Sequence, residues 1–157
     1  MDVITRRPRF LSAVRASLAA TPTEADLPRV AGAAALVAAA TAALNTFAQE
    51  GGIRAYLPIL ALIVLVALGV FVWAVPMALE LDEQGPSVVA LGLAVLALLT
   101  VLLFWTGLPA LLGTGGIVLG RMCEGEPQGR RLAQAATRLG AASIVLYLLL
   151  VVVDLLG

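Results

Sequence analysis

The spacing of charged residues constrains this chain more than any other feature of its sequence. Four uncharged, mostly apolar stretches, residues 30–49, 55–79, 84–120 and 140–157, are separated by short polar turns, and only Asp154 interrupts the last of them. A helix that crosses the hydrocarbon core of a bilayer needs about 20 such residues. The sequence therefore predicts an all-α protein, a polytopic transmembrane helical bundle with about four hydrophobic segments.

The composition agrees with this interpretation. Of the 157 residues, 61% are hydrophobic and 13% are charged, whereas soluble domains carry about 25% charged residues. Histidine is absent and Cys123 is the only cysteine, so the chain lacks the commonest metal and haem ligand and has no intrachain disulfide. We expect no metal, no cofactor and no catalytic residue, and therefore no enzyme.

The first two stretches differ in how well they suit lipid. The second is the strongest span because it is rich in Leu, Ile, Val and Phe, which insert favourably. The first is alanine-rich and weakly lipophilic, so we expect it to pack against other helices, where small side chains let backbones approach. As a signal peptide ending near residues 46–48, it would need a leading segment of 29 residues, longer than that pattern favours.

The third stretch is too long for one crossing. Its 37 residues would form a helix about 55 Å long, against a hydrocarbon core of about 30 Å. We expect a break near Gly107 and Pro109, because glycine loosens a helix and proline removes a backbone donor. Residues 110–120 would then form a short glycine-rich helix that is re-entrant, interfacial or a thin crossing.

Residues 1–29 are predicted to form a basic amphipathic segment ahead of the transmembrane domain, residues 30–157. Arginines alternate in it with apolar residues, at the spacing of a helix that lies on a membrane surface. The arginines expected to contact lipid headgroups are Arg6, Arg7, Arg9 and Arg15. The positive-inside rule places this segment in the cytoplasm.

Arginines nearer the C-terminus conflict with a simple topology of four crossings. Such a topology would put the segment 121–138 outside, although it carries four arginines, Arg121, Arg130, Arg131 and Arg138. The conflict disappears if the short glycine-rich helix crosses or if the alanine-rich stretch does not. The sequence leaves the number of crossings between three and five.

The glycines after Pro109 do not form a phosphate-binding loop. The dinucleotide fingerprint needs a glycine where Val118 stands, and the lysine of a nucleoside-triphosphate loop is missing. We interpret Gly113, Gly116 and Gly120 as a smooth face for close helix packing, on which Gly116 and Gly120 form a small-xxx-small pair.

Few ionisable residues fall inside the predicted spans, and intramembrane charges usually mark transport or catalysis. Asp154 is close to the C-terminal end of its stretch, and we expect it to reach headgroup water. Asn45, with Thr41 on the same helix face, is expected to form an interhelical hydrogen bond. In a channel, Asn45 would instead line the path together with Gly107 and Pro109.

Two functions fit these features. The first is an accessory, scaffolding or assembly subunit of a larger membrane complex, since the chain offers packing surfaces but little intramembrane chemistry. The alternative is a protomer of a homo-oligomeric channel or carrier, in which the broken third segment would line a path. We expect membrane lipids, and either other membrane-protein subunits or further copies of the chain, as partners, and no nucleic acid.

The basic residues also indicate where the protein resides. Lysine is absent and all ten basic residues are arginine, which is the codon bias of a GC-rich genome. We expect a multi-pass protein of the inner (cell) membrane of a prokaryote, and the positive-inside rule places its N-terminus in the cytoplasm.

Overall fold

A computed structural model describes residues 22–48, 52–81, 84–125, 127 and 129–156, and every element in these ranges is helical. The α-helices are α1 (Leu27–Ala48), α2 (Gly52–Leu68), α3 (Val75–Leu79), α4 (Gly85–Leu99), α5 (Leu108–Met122) and α6 (Arg130–Leu156). Four helical spans are long and apolar enough to cross a membrane: Leu27–Phe47, Ile53–Leu79, Gly85–Thr106 and Arg130–Leu156. The predicted polytopic helical bundle is confirmed.

A hydrogen-bonded cap precedes α1. The Asp26 carboxylate accepts hydrogen bonds from the Thr23 hydroxyl at 2.7 Å and from the Thr23 backbone N–H at 3.1 Å. These hydrogen bonds, with a smaller contribution from Arg29, hold the pKa of Asp26 below its usual range. The carboxylate is therefore charged at neutral pH, and it interacts favourably with the positive, N-terminal end of the α1 dipole.

The second crossing changes helix type along its length. α2 leads into a π-helical segment, Gly69–Ala74, after which the Val75 N–H donates to the Val70 carbonyl. Pro76 follows in the first turn of α3 and has no N–H to offer the carbonyl four residues earlier. A π-helical turn at this point accommodates the proline within a continuous helical span.

The third stretch is broken near Gly107 and Pro109, as predicted. α4 continues into a 3-10 segment, Thr100–Thr106, that ends at Gly107 in the left-handed conformation with φ of 71°. α5 follows directly, with Pro109 in its first turn. The Thr106 hydroxyl donates to the Leu103 carbonyl at 2.6 Å and accepts an N–H of that first turn at 3.4 Å. The Thr106 hydroxyl thereby gives hydrogen-bond partners to two backbone groups at the break, the Leu103 carbonyl and the Leu108 N–H.

α5 is the most enclosed helix of the described bundle. Ten of its 15 residues are buried, and it packs tightly between α4 and α6. Gly113 lies beside Ser143 of α6 and Gly120 beside Ala133, so α5 and α6 run antiparallel. The helix rises about 22 Å, which is less than the hydrocarbon thickness of about 30 Å.

The turn between α4 and α5 lies within the depth of the bundle. Gly107 packs against Ala38, which is ten residues before the end of the 22-residue α1, or about 15 Å of helix rise. α4 and α5 therefore form a hairpin whose tip is level with the middle of α1. α5 returns the chain toward the end of the bundle where α4 begins, which fits both the re-entrant and the thin-crossing alternatives for the glycine-rich helix.

Most of the arginines that the structure describes lie at one end of the bundle. α1 and α6 run in the same direction, because Thr41 contacts Tyr147 and Asn45 contacts Asp154, and α5 returns the chain to the end where α1 begins. This basic end carries five of the six arginines among the described residues: Arg29, Arg121, Arg130, Arg131 and, two turns into α6, Arg138. The hairpin thus resolves the conflict between the arginines and a simple topology.

Candidate functional site

The three predicted packing glycines lie at the centre of the bundle, on two faces of α5. A Cβ atom at Gly116 would lie 3.0 Å from the backbone nitrogen of Ala94 in α4. A Cβ atom at Gly120 would lie 2.8 Å from the carbonyl oxygen of Ala133 in α6, and Gly113 faces α6 as well. The glycines therefore serve two interfaces, and Gly116 and Gly120 do not share the single face that the sequence suggested.

Gly140 on α6 is a packing residue that the sequence analysis missed. A Cβ atom there would lie 2.7 Å from the Gly113 carbonyl oxygen and 2.9 Å from Cγ1 of Ile117. α5 and α6 thus meet with glycine on both sides, which brings their backbones into close approach. The sequence does carry a signal, because small residues recur every three or four positions along α6, at Ala133, Ala136, Gly140 and Ser143, and the structure buries all four.

Gly107 and Pro109, the residues predicted at the break, both pack into the protein interior. A Cβ atom at Gly107 would lie 2.8 Å from the Cβ of Ala38 and 2.9 Å from its carbonyl oxygen. Pro109 is among the fully buried side chains of the described residues. The break is therefore a packed turn against α1.

Four polar side chains form a ladder between α1 and α6, called here the polar ladder: Thr41, Asn45, Tyr147 and Asp154. The Asn45 side-chain amide donates to Oδ2 of Asp154 at 2.7 Å. The Thr41 hydroxyl lies 2.9 Å from the Val37 carbonyl and also meets the Tyr147 hydroxyl. Because a threonine hydroxyl has one proton, Thr41 donates it to α1 and accepts the hydrogen bond from Tyr147.

The polar ladder sets the orientation of α1 relative to α6. The Tyr147 side chain is 0% exposed and Asn45 is 6% exposed, so both polar groups need protein partners in this apolar setting. The interhelical hydrogen bond expected of Asn45 has Asp154 as its partner, a pairing that the sequence analysis did not predict. Thr41 and Asn45 are four residues apart, and Tyr147 and Asp154 are seven apart, so each pair occupies one helix face.

We expect the Asn45–Asp154 contact to be energetically coupled. In a double-mutant cycle of Asn45→Ala and Asp154→Ala, unfolding of the purified protein in detergent should show a coupling of about 0.6 kcal/mol and at most about 1.7 kcal/mol, the range for interhelical hydrogen bonds in membranes. Thr46→Ala, at the adjacent buried position, should combine additively with Asp154→Ala. Additivity of the Asn45 and Asp154 changes would contradict this prediction.

The remaining predicted residues form no site that the structure describes. Arg6, Arg7, Arg9 and Arg15, expected at lipid headgroups, lie outside the described residues. Within the described ranges, no three His, Cys, Asp or Glu side chains come together as a metal site requires.

The described residues form an integral membrane protein with a glycine-packed hairpin at its centre and a polar ladder on one side. The chain matches no protein-family model, no curated protein and no solved structure.

Proposed function

We propose that this small multi-pass protein is an accessory, scaffolding or assembly subunit of a larger membrane complex, with no enzymatic activity of its own. The observation that carries the proposal is the outward face of α1. The span that contains α1 has a mean hydropathy of 1.6, against 2.5 to 2.8 for the other three. A helix with so weak a preference for lipid gains more from a protein neighbour than the other spans do.

The outward face of α1 combines small residues with large apolar ones, which suits contact with a partner helix. Gly32 has open space where a Cβ would stand, and Ala40 is also exposed. Leu36 and Phe47, on the same side, are 70% and 53% exposed. Small residues flanked by large apolar ones let a partner helix approach the backbone and still bury apolar surface.

The residues that a channel would use are engaged elsewhere. Asn45 bonds to Asp154, Gly107 packs on Ala38, and Pro109 is buried. These contacts within one chain favour the accessory role over a channel or carrier, which would need these groups on a path.

We also propose that the basic end faces the cytoplasm of a prokaryotic cell and that the bundle lies in the inner membrane. The positive-inside rule counts arginines near the ends of spans, and the basic end has five among the described residues while the other end has Arg54. The preceding N-terminal segment, with its four arginines, joins the chain at the basic end.

Cysteine labelling tests this orientation. Because Cys123 is buried, the variants are Gly125→Cys at the basic end and Ile53→Cys at the opposite end, each combined with Cys123→Ser. A membrane-impermeant maleimide should label Ile53→Cys in intact cells and Gly125→Cys only after permeabilisation. The reverse pattern would place the basic end outside.

Photo-crosslinking in the native membrane tests the accessory role. A photoreactive amino acid at Leu36, 70% exposed on α1, should form an adduct with one other polypeptide. The matched control is Leu99, 67% exposed on α4, which should crosslink mainly to lipid.

Each outcome of the crosslinking experiment is informative. A stoichiometric hetero-adduct at Leu36 supports the proposal. Adducts of the chain with itself would instead support a homo-oligomer, the arrangement that a channel needs. Lipid adducts alone at Leu36 would show that α1 has no protein neighbour and would overturn the proposal.

A further inference from the structure

An apolar groove lies between α1 and α6, with α5 as its floor. It has a volume of about 520 Å³ and is open on its outer side, within the range of about 300–1,000 Å³ that small-molecule sites occupy. Ala33 and Val37 line it on α1, Ile144 and Leu148 on α6, and Ala110 on α5. The groove exists because alanines on α1 and α5 leave space between the larger side chains.

The charge of the groove is confined to one end. Arg29 is the only charged side chain that lines it among the described residues, and it lies exposed at the basic end, where α1 begins. Val37 lies eight residues further along α1, about 12 Å deeper by helix rise. The groove therefore runs from a guanidinium group toward the bilayer interior.

The other polar groups nearby are already engaged. The Thr114 hydroxyl, on the floor of the groove, donates to the Ala110 carbonyl at 2.6 Å. The Asp26 carboxylate, close to Arg29 on the chain, accepts two hydrogen bonds from Thr23. The interior of the groove consequently offers apolar contact, while its mouth offers the Arg29 guanidinium, with the Asp26 carboxylate nearby.

We propose that this groove binds an anionic phospholipid, with one acyl chain along α1 and α6 and the headgroup phosphate on Arg29. A guanidinium group binds phosphate through two parallel hydrogen bonds. The groove accommodates an acyl chain, but the chains of all bilayer lipids are similarly apolar. The headgroup therefore determines which lipid is preferred. The groove adjoins the partner-facing side of α1 at Leu36 but is lined by other residues, and the proposal does not depend on the accessory role.

The expected selectivity is modest and measurable. One basic residue near a membrane surface attracts an anionic lipid by an amount that corresponds to about a fivefold preference. Native mass spectrometry of the full-length protein, released from nanodiscs of phosphatidylcholine and phosphatidylglycerol, should show phosphatidylglycerol retained about fivefold above its bulk ratio. The arginines of the N-terminal segment contribute the same background to every variant.

Variants separate the contribution of the lipid headgroup to binding from that of the acyl chain. Arg29→Gln should bring the retained lipid close to the background ratio, whereas Arg54→Gln, at the opposite end, should keep the enrichment. Ala33→Leu, which fills the groove from its exposed side, should lower the retention of both lipids, and Ala40→Leu, on α1 outside the groove, should not. Arg29→Lys keeps the positive charge and should retain a weaker enrichment of phosphatidylglycerol. That result would show that the loss of enrichment in Arg29→Gln is not a folding defect.

Two results would overturn the proposal. Equal enrichment in the original protein and in Arg29→Gln would show that the preference comes from other arginines. Unchanged retention in Ala33→Leu would show that no acyl chain occupies the groove. Neither result bears on the crosslinks of Leu36, so this site and the proposed function fail independently.

Discussion

Gly107→Ala should destabilise the purified protein by about 2–5 kcal/mol. Two costs combine. A side chain in the left-handed conformation costs about 1–2 kcal/mol, and Gly107 has φ of 71°. Overpacking costs about 1–3 kcal/mol more, because the new Cβ would lie 2.8 Å from the Cβ of Ala38 and 2.9 Å from its carbonyl oxygen. Unfolding in a mild detergent titrated with SDS measures the change.

The variant Ala38→Gly separates the two costs. It removes the Cβ that the new methyl group meets, but it leaves the backbone of α1 and the left-handed conformation in place. Ala38→Gly alone should cost about 1 kcal/mol through helix propensity and about 0.8 kcal/mol through the loss of a buried methyl group. The double variant should be more stable than the sum of the two single changes predicts, and strict additivity would show that the Ala38 methyl group carries none of the overpacking cost.

Gly140→Leu should have an effect of similar or greater size. The interface has no room for a side chain, because a Cβ at Gly140 would lie 2.7 Å from the Gly113 carbonyl oxygen, a backbone atom. Overpacking of about 3 kcal/mol or more is expected, since α5 and α6 must separate to admit the side chain. The measurement is the same detergent titration, followed by the fluorescence of Trp73 and Trp105.

Gly92→Leu is the matched control. Gly92 lies on the neighbouring helix α4 and has nothing within 4 Å of a Cβ position. Leucine has a higher helix propensity than glycine and inserts favourably into lipid, so this variant should be as stable as the original protein or more stable. Equal destabilisation at both positions would mean that glycine matters here for helix flexibility and not for packing.

Local features of the fold could be predicted from the sequence. The break at Gly107 followed from length, since a stretch of 37 uncharged residues cannot cross once as a straight helix. The spans followed from the spacing of charges in the same way. Each of these inferences depends on residues close together in the chain.

Features that depend on pairing between distant helices could not be predicted. Gly116 and Gly120 are four residues apart and were assigned to one face, yet one contacts α4 and the other α6. The reason is that α5 is surrounded, so its glycines need not share a partner. Likewise, Asn45 and Asp154 could be recognised singly, but their hydrogen bond depends on the parallel arrangement of α1 and α6.

The burial of α5 has a consequence for how the protein is made. Its glycine-lined side, with Gly113 and Gly120, faces α6, which is synthesised after it. Until Gly140 and the rest of α6 arrive, these backbone surfaces lie against lipid or the insertion machinery, where small side chains give little favourable insertion energy. We therefore expect α4, α5 and α6 to reach their packed arrangement together, once α6 has been synthesised.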